Sequence, residues 1–239
     1  MQRNRCGEIG PADRCRPTQV KRSIFISRLL ATDSPLLAYL TEHRWELHQR
    51  SLIDVTPIPF RIDTATDWIF LSSSNGARIL LSSHRPEHGT RIGVVGKATA
   101  ATVRQFGYEP HFIGDSGDMQ HVGRHFAQVL ANRTVLFCGA EGGSEKLRAE
   151  LPQKQVSFLP IYRTEPQLST VIPPTQVVFL TSPSNAKAYL SNASLVGRTV
   201  IAIGNTTAEY LHSQGVEHPL IPSAPTEEHV VALLRKIEA

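Results

Sequence analysis

Short, nearly continuous apolar runs recur along the chain, each closed by a small or hydroxyl residue and followed by a helical stretch. "IGVVG" at 92–96 and "VIAIG" at 200–204 are two of them. Runs of this length without strict alternation suit strands buried on both faces, as in parallel sheets covered by helices. "IFLSSSNGARILL" (69–81) and "VFLTSPSNAKAYL" (178–190) each read as strand, hydroxyl-rich turn and helix. Strands alternating with helices along the whole chain predict an α/β fold of doubly wound parallel sheets.

The runs come in matched pairs. "GKATAATVRQFG" (96–107) returns 108 positions later as "GNTTAEYLHSQG" (204–215), and "YEPHFIGDSGDMQHV" (108–122) matches "VEHPLIPSAPTEEHV" (216–230). With the two longer stretches above, the match runs for more than 50 residues with a single one-residue shift. A looser pair precedes each copy. Residues 23–55 and 134–164 both read as strand, helix, strand, so the order is unit A, unit B, unit A′, unit B′. Two sheets of about five strands each are implied. The proline-marked segments "IDVTPIPF" (53–60) and "LPIYRTEP" (159–166) end the A-type units and predict a two-stranded crossing between domains.

Composition adds little to this picture. The 239 residues are 41% hydrophobic and 19% charged, ordinary for a globular protein, and can hold two domains with separate cores. A formal charge of +4 without a dense basic cluster predicts no nucleic-acid partner. Cys6, Cys15 and Cys138 form no CxxC pair, which predicts free thiols and no structural metal. No apolar run approaches the roughly 18 residues of a membrane span. Residues 1–20 are basic, lack an apolar core and are expected to form a flexible tail. A cytoplasmic protein is expected.

In open parallel sheets, ligands sit beyond the carboxyl ends of strands, where helix N-termini present free N–H groups. Thr206 and Thr207, with Ala98 and Thr99, fall at two such helix starts. Ser72, Ser73 and Ser74, with Thr181 and Ser182, fall at two more. Hydroxyls there serve either as N-caps or as ligand donors, and both readings stand at this stage. Gly107 and Gly215 read as helix C′ residues. "GDSGD" (114–118) resembles a protease nucleophile loop on an incompatible fold. "GAEGGSEK" (139–146) has the wrong glycine spacing for a phosphate loop and carries Leu147 where a metal-binding hydroxyl belongs. His121 and His125 lack a third metal ligand, and no GxGxxG follows a strand. Tyr162, in the second crossing, either packs or points into an interdomain cleft.

In order and spacing, "IFISR", "FLSSSNG", "FLTSPSN", "VGKATA", "IGNTTA", "PIYRT" and "APTEE" resemble the uroporphyrinogen-III synthase family over residues 21–239. The resemblance implies two flavodoxin-like domains joined by a two-stranded β connector: residues 21–56 plus 162–239, and residues 57–160. It implies a monomeric, cofactor-free hydro-lyase of tetrapyrrole (haem) biosynthesis. That enzyme closes hydroxymethylbilane, a linear tetrapyrrole with eight carboxylates, to uroporphyrinogen III with inversion of ring D and loss of water. Tyr162 carries over as the catalytic residue at the leaving hydroxyl. Thr99, Ser182 and Thr207 carry over as substrate contacts, as do Thr206 and Ser73, with Arg28 and Lys97 as carboxylate partners. The chain departs from the family pattern at Cys138, since many members have Arg-Gly at the end of the strand that here reads "LFCG", and at Ala98, where the repeat partner Thr206 keeps a hydroxyl. Two alternatives are a two-domain cleft protein that binds a small anionic metabolite without reaction, and a nucleotide-sugar or phosphate enzyme of similar architecture.

Overall fold

The computed structural model describes residues 22–114 and 118–238; the expected tail, Cys6, Cys15 and the centre of "GDSGD" lie outside the described residues. The first part of the chain holds β1 (Ser23–Ile26), α1 (Pro35–Glu42), β2 (Glu46–Gln49) and β3 (Ile53–Pro57). Next come β4 (Trp68–Leu71), α2 (Ser74–Ser83), β5 (Arg91–Val95), α3 (Gly96–Gln105), β6 (Phe112–Gly114) and α4 (Met119–Leu130). They are followed by β7 (Val135–Ala140), α5 (Glu145–Arg148) and the long β8 (Val156–Pro166). The chain finishes with β9 (Val177–Leu180), α6 (Pro183–Leu190), β10 (Thr199–Ala202), α7 (Asn205–Ser213) and α8 (Glu227–Glu238).

Two parallel-dominated sheets result, ordered β10-β9-β1-β2 and β3-β8-β7-β4-β5-β6. The repeat explains both orders. In each sheet the two strands of an A-type unit lie beside the strands of a B-type unit, but the units are exchanged: A pairs with B′, and B with A′. Thus Ile24 of β1 registers with Val177 of β9, as Val135 of β7 does with Trp68 of β4.

The expectation of about five strands per sheet is met unevenly. After β10 the fifth position of the first sheet shrinks to one bridge, Ile201 to Leu220. Pro219 and Pro222 flank that residue and have no N–H to donate to a ladder. The matching segment of the second sheet keeps three residues as β6. That sheet gains β3, the only antiparallel strand among the described residues.

Apolar side chains on both faces of each sheet make four buried clusters. In the first sheet, one is built on Phe25, Val178 and Tyr189 and another on Ile24, Phe179 and Leu36. In the second, one is built on Ile69, Val94 and Leu80 and another on Trp68, Phe70 and Phe126. The helices pack as pairs, α6 with α7, α1 with α8, α2 with α3 and α4 with α5. Gly107 and Gly215 end α3 and α7 with φ of 85° and 83°, the left-handed geometry expected of C′ glycines.

β8 lies within the second sheet, between β3 and β7. Its first residues run parallel to β7, and its last five pair antiparallel with β3, from Ile53 opposite Pro166 to Pro57 opposite Tyr162. Ile58 N–H continues the ladder to Ile161 O at 2.9 Å. The two proline-marked crossings are therefore one ribbon. Gly123 tests the packing of α4 on α5, since a Cβ there would lie 2.6 Å from Leu147 O and 2.8 Å from Glu150 Cβ. Gly123→Ala should cost about 1–3 kcal/mol in urea unfolding, because a backbone oxygen cannot rotate aside as a side chain could.

Candidate active site

All parallel strands end on one edge of their sheet, and the turns that follow carry hydroxyl groups. Adjacent strand ends are clasped in matched fashion. Ser27, after β1, places its Oγ 3.0 Å from Thr181 Oγ1, after β9, and accepts from Thr181 N–H at 2.8 Å. Ser144, after β7, donates its Oγ–H to Ser72 Oγ, after β4, at 2.7 Å. Sequence reading missed Ser27 and Ser144 because their partners sit far along the chain.

A cleft of about 690 Å³ lies where the two edges meet. Ser72, Gly96, Lys97 and Ala98 line it from one sheet, and Arg28, Ser182, Thr206 and Thr207 from the other. Five of the eight expected site residues are thereby gathered: Arg28, Lys97, Ser182, Thr206 and Thr207. Ser73, Thr99 and Tyr162 lie outside the lining.

The hydroxyls divide into two kinds. Ser73 and Ser182 are N-caps: Ser73 Oγ accepts from Gly76 N–H at 3.0 Å, and Ser182 Oγ from Asn185 N–H at 3.1 Å. Capping therefore accounts for both. By contrast α3 and α7, the helices of the repeated Gly/Thr phrase, have no side-chain cap. Their first N–H groups and the positive ends of their dipoles are left for water or an anion. Thr99 and Thr207 sit in those first turns, 4% and 2% exposed, and neither hydroxyl has a hydrogen-bond partner among the described residues. Two repeat-matched helix starts are thus uncapped on one cleft, and helix starts of this kind can receive anions.

Four charged side chains line the same cleft, and their charges cancel: Arg28 and Lys97 against Glu227 and Glu228. Arg28 Nη2 donates to Glu227 Oε1 at 2.7 Å, while its buried Nε has no partner. Glu227 also receives the Oγ–H of Ser34, the N-cap of α1. The Glu228 carboxyl is held below the usual range, chiefly by Thr226 and its own backbone N–H, with Lys97 also contributing. Lys97 is exposed and makes no ion pair among the described residues. The glutamates belong to "APTEE", which the sequence marked as part of the repeat, without a role for their charges.

Tyr162 is 5% exposed and packs in the cluster of Ile69, Val94 and Leu80, beneath the first turn of α2. Its hydroxyl lies 2.8 Å from Ser73 Oγ. Burial raises the phenol pKa, and the Ser73 contact offsets part of that rise. Cys138, at the family departure, is buried, which pushes its thiol up to about 12, and it is not among the residues that line the cleft. Among the described residues no three His, Cys, Asp or Glu side chains gather to hold a metal, and no helix is long and apolar enough to cross a membrane.

A family model described as uroporphyrinogen-III synthase HemD matches residues 34–232. The curated porphyrin biosynthesis protein HemD of Ruminiclostridium josui is 24% identical over 249 residues, which cover 90% of this chain and 49% of that protein. The chain thus spans about half the length of this relative. The solved uroporphyrinogen-III synthetase of Helicobacter pylori superposes with a TM-score of 0.65 at 21% identity, covering 90% of this chain and 99% of that one. A mutant uroporphyrinogen III synthase of Thermus thermophilus gives 0.54 at 13% identity, over 91% and 99%. These likenesses show a shared two-sheet α/β fold.

Capping and unpartnered hydroxyls are separable by stability. Ser182→Ala should cost roughly 0.5–2 kcal/mol, as for other lost N-caps. Thr207→Val removes a hydroxyl with no internal partner and should cost less than that cap in the same urea titration.

Proposed function

Because the chain belongs to the uroporphyrinogen-III synthase family, we propose that it converts hydroxymethylbilane to uroporphyrinogen III, acting as a monomer in the cytoplasm. The observation that carries this reading is the pair of uncapped, repeat-matched helix starts of α3 and α7 on one cleft. A ligand with carboxylates along its whole length can engage both at once. The cleft has the volume usual for sites that enclose sizeable small molecules.

The lining suits a positioning mechanism. Its formal charges cancel, so the carboxylates are held by backbone N–H groups and by Thr206 and Thr207, with Arg28 and Lys97 on the cleft wall. Protonation and departure of the terminal hydroxyl as water leaves an azafulvene cation on the first ring. The substituted α-carbon of the far ring attacks it to give a spiro intermediate, which fragments and recloses with that ring inverted. Free in water, the cation closes at the unsubstituted end instead. Holding the two ends in near-attack geometry therefore decides the product, and such orientation is worth several kcal/mol without a strong acid or base.

Tyr162 is the proposed group at the dehydration step; its hydroxyl contacts Ser73, the neighbour of the cleft-lining Ser72. Its raised pKa keeps the phenol protonated at neutral pH, so it can donate a hydrogen bond along that contact. The two units, residues 21–56 with 162–239 and residues 57–160, are proposed to close on the ligand by flexing the β3–β8 ribbon.

Incubation with freshly generated hydroxymethylbilane, followed by separation of the oxidised isomers, should yield the type III product. Type I alone, at the uncatalysed rate, would refute the activity. Tyr162→Phe keeps the ring and removes the hydroxyl. It should lower kcat by about a hundredfold, with KM and unfolding midpoint little changed. Equal kcat values would leave Tyr162 as a prop for α2. Since the folded pKa lies above the ordinary value near 10, the wild-type kcat should show no alkaline fall from this phenol below about pH 10.

A further inference from the structure

Carboxylates are unexpected in a cleft that takes a polyanion, yet two line this one. Glu227 is the more tightly built. It lies at the first position of α8, where a negative charge is favoured by the helix dipole, and it is bound by two donors from elsewhere in the fold. One donor is Arg28, which follows β1, and the other is Ser34, the cap of α1.

The Arg28 contact is incomplete. A guanidinium offers five N–H donors in a fork that fits both oxygens of a carboxylate, but only Nη2 meets Glu227, and the buried Nε meets nothing. Both side chains are partly exposed to the cleft, Arg28 at 38% and Glu227 at 20%. Glu227 keeps partners if Arg28 leaves it, since Ser34 and the start of α8 remain. Arg28 has no second acidic partner among the described residues. The pair is therefore asymmetric: breaking it leaves the glutamate satisfied and the arginine free.

From this asymmetry we infer that Glu227 is an exchangeable counter-ion, which holds Arg28 at the cleft wall in the ligand-free protein and yields it to a carboxylate of the ligand. The inference rests on the polycarboxylate reading above. Glu227 acts through Arg28 as a positioning residue that weakens ligand binding. It limits how tightly the cleft retains a product that carries the same eight carboxylates as its substrate.

A double-mutant cycle tests this with uroporphyrin, an unreactive octacarboxylate, whose Kd is read from porphyrin fluorescence. Glu227→Gln preserves shape and the Ser34 contact, and should tighten binding about two- to fivefold, the range for a partly exposed ion pair. Arg28→Gln should weaken binding. In the Arg28→Gln background, Glu227→Gln should leave Kd unchanged. A merely structural Glu227 would lower the urea midpoint without tightening binding, which overturns the inference. Equal tightening in both backgrounds also overturns it, since that is a general effect of removing charge. No binding by the wild type does the same. If Glu227→Gln fails to fold, Glu227→Asp withdraws the carboxylate by one methylene and should also tighten binding. Turnover of hydroxymethylbilane by the wild type is measured separately. A cycle that holds in a protein without turnover removes the proposed reaction and leaves the counter-ion, while turnover with a flat cycle does the reverse.

Discussion

At Ile53 the chain leaves its first sheet, and at Pro166 it returns, and the five residue pairs between β3 and β8 bind the two passages into one ribbon. Each sheet alone would present its polar rim to water, as any open parallel sheet does. The ribbon holds the two rims opposite each other at short range, so that Lys97 and Glu228 influence one another and Lys146 of α5 pairs with Glu209 of α7. Backbone hydrogen bonds make up the ladder of this joint, and Val55, Ile161 and Tyr162 anchor it in the core of the second sheet. A joint of that kind keeps its direction while allowing small changes of twist.

The second constraint is electrostatic. A wall of lysines and arginines would bind a polyanion strongly and screen poorly against other anions. Here the charged lining sums to nothing, and the oriented N–H groups at α3 and α7 stand without a side-chain cap. Such dipoles are fixed by the backbone and need no rearrangement when charge moves within the ligand. They also act only at contact distance, which favours a ligand whose acidic groups match their spacing.

Much of this was legible in the residues because the repeat doubled every weak signal. The alternation of strands and helices, the C′ glycines and the paired proline segments follow from local patterns that a second copy repeats. What escaped notice depends on distance along the chain. Ser27 meets Thr181 and Ser34 meets Glu227 across more than 150 residues, and no local pattern marks such pairs. The division of hydroxyls into caps and free donors was equally hidden. Ser73 and Thr99 look alike in sequence, yet one stands just outside its helix with its oxygen on a backbone N–H, and the other stands inside the first turn facing away from any partner. The fifth strand of the first sheet failed for a legible reason, the prolines beside Leu220.

The exchange of units between sheets also sets an order in time. On a ribosome, the second sheet has all its strands once Pro166 has emerged, and domains fold as units as they appear. β1 and β2 are made first but must wait for β9 and β10, more than 150 residues later, before their edge is covered. The earliest-made strands of the first sheet are thus among the last in the fold to be flanked, because β1 pairs with β9 only after the whole second sheet has been made.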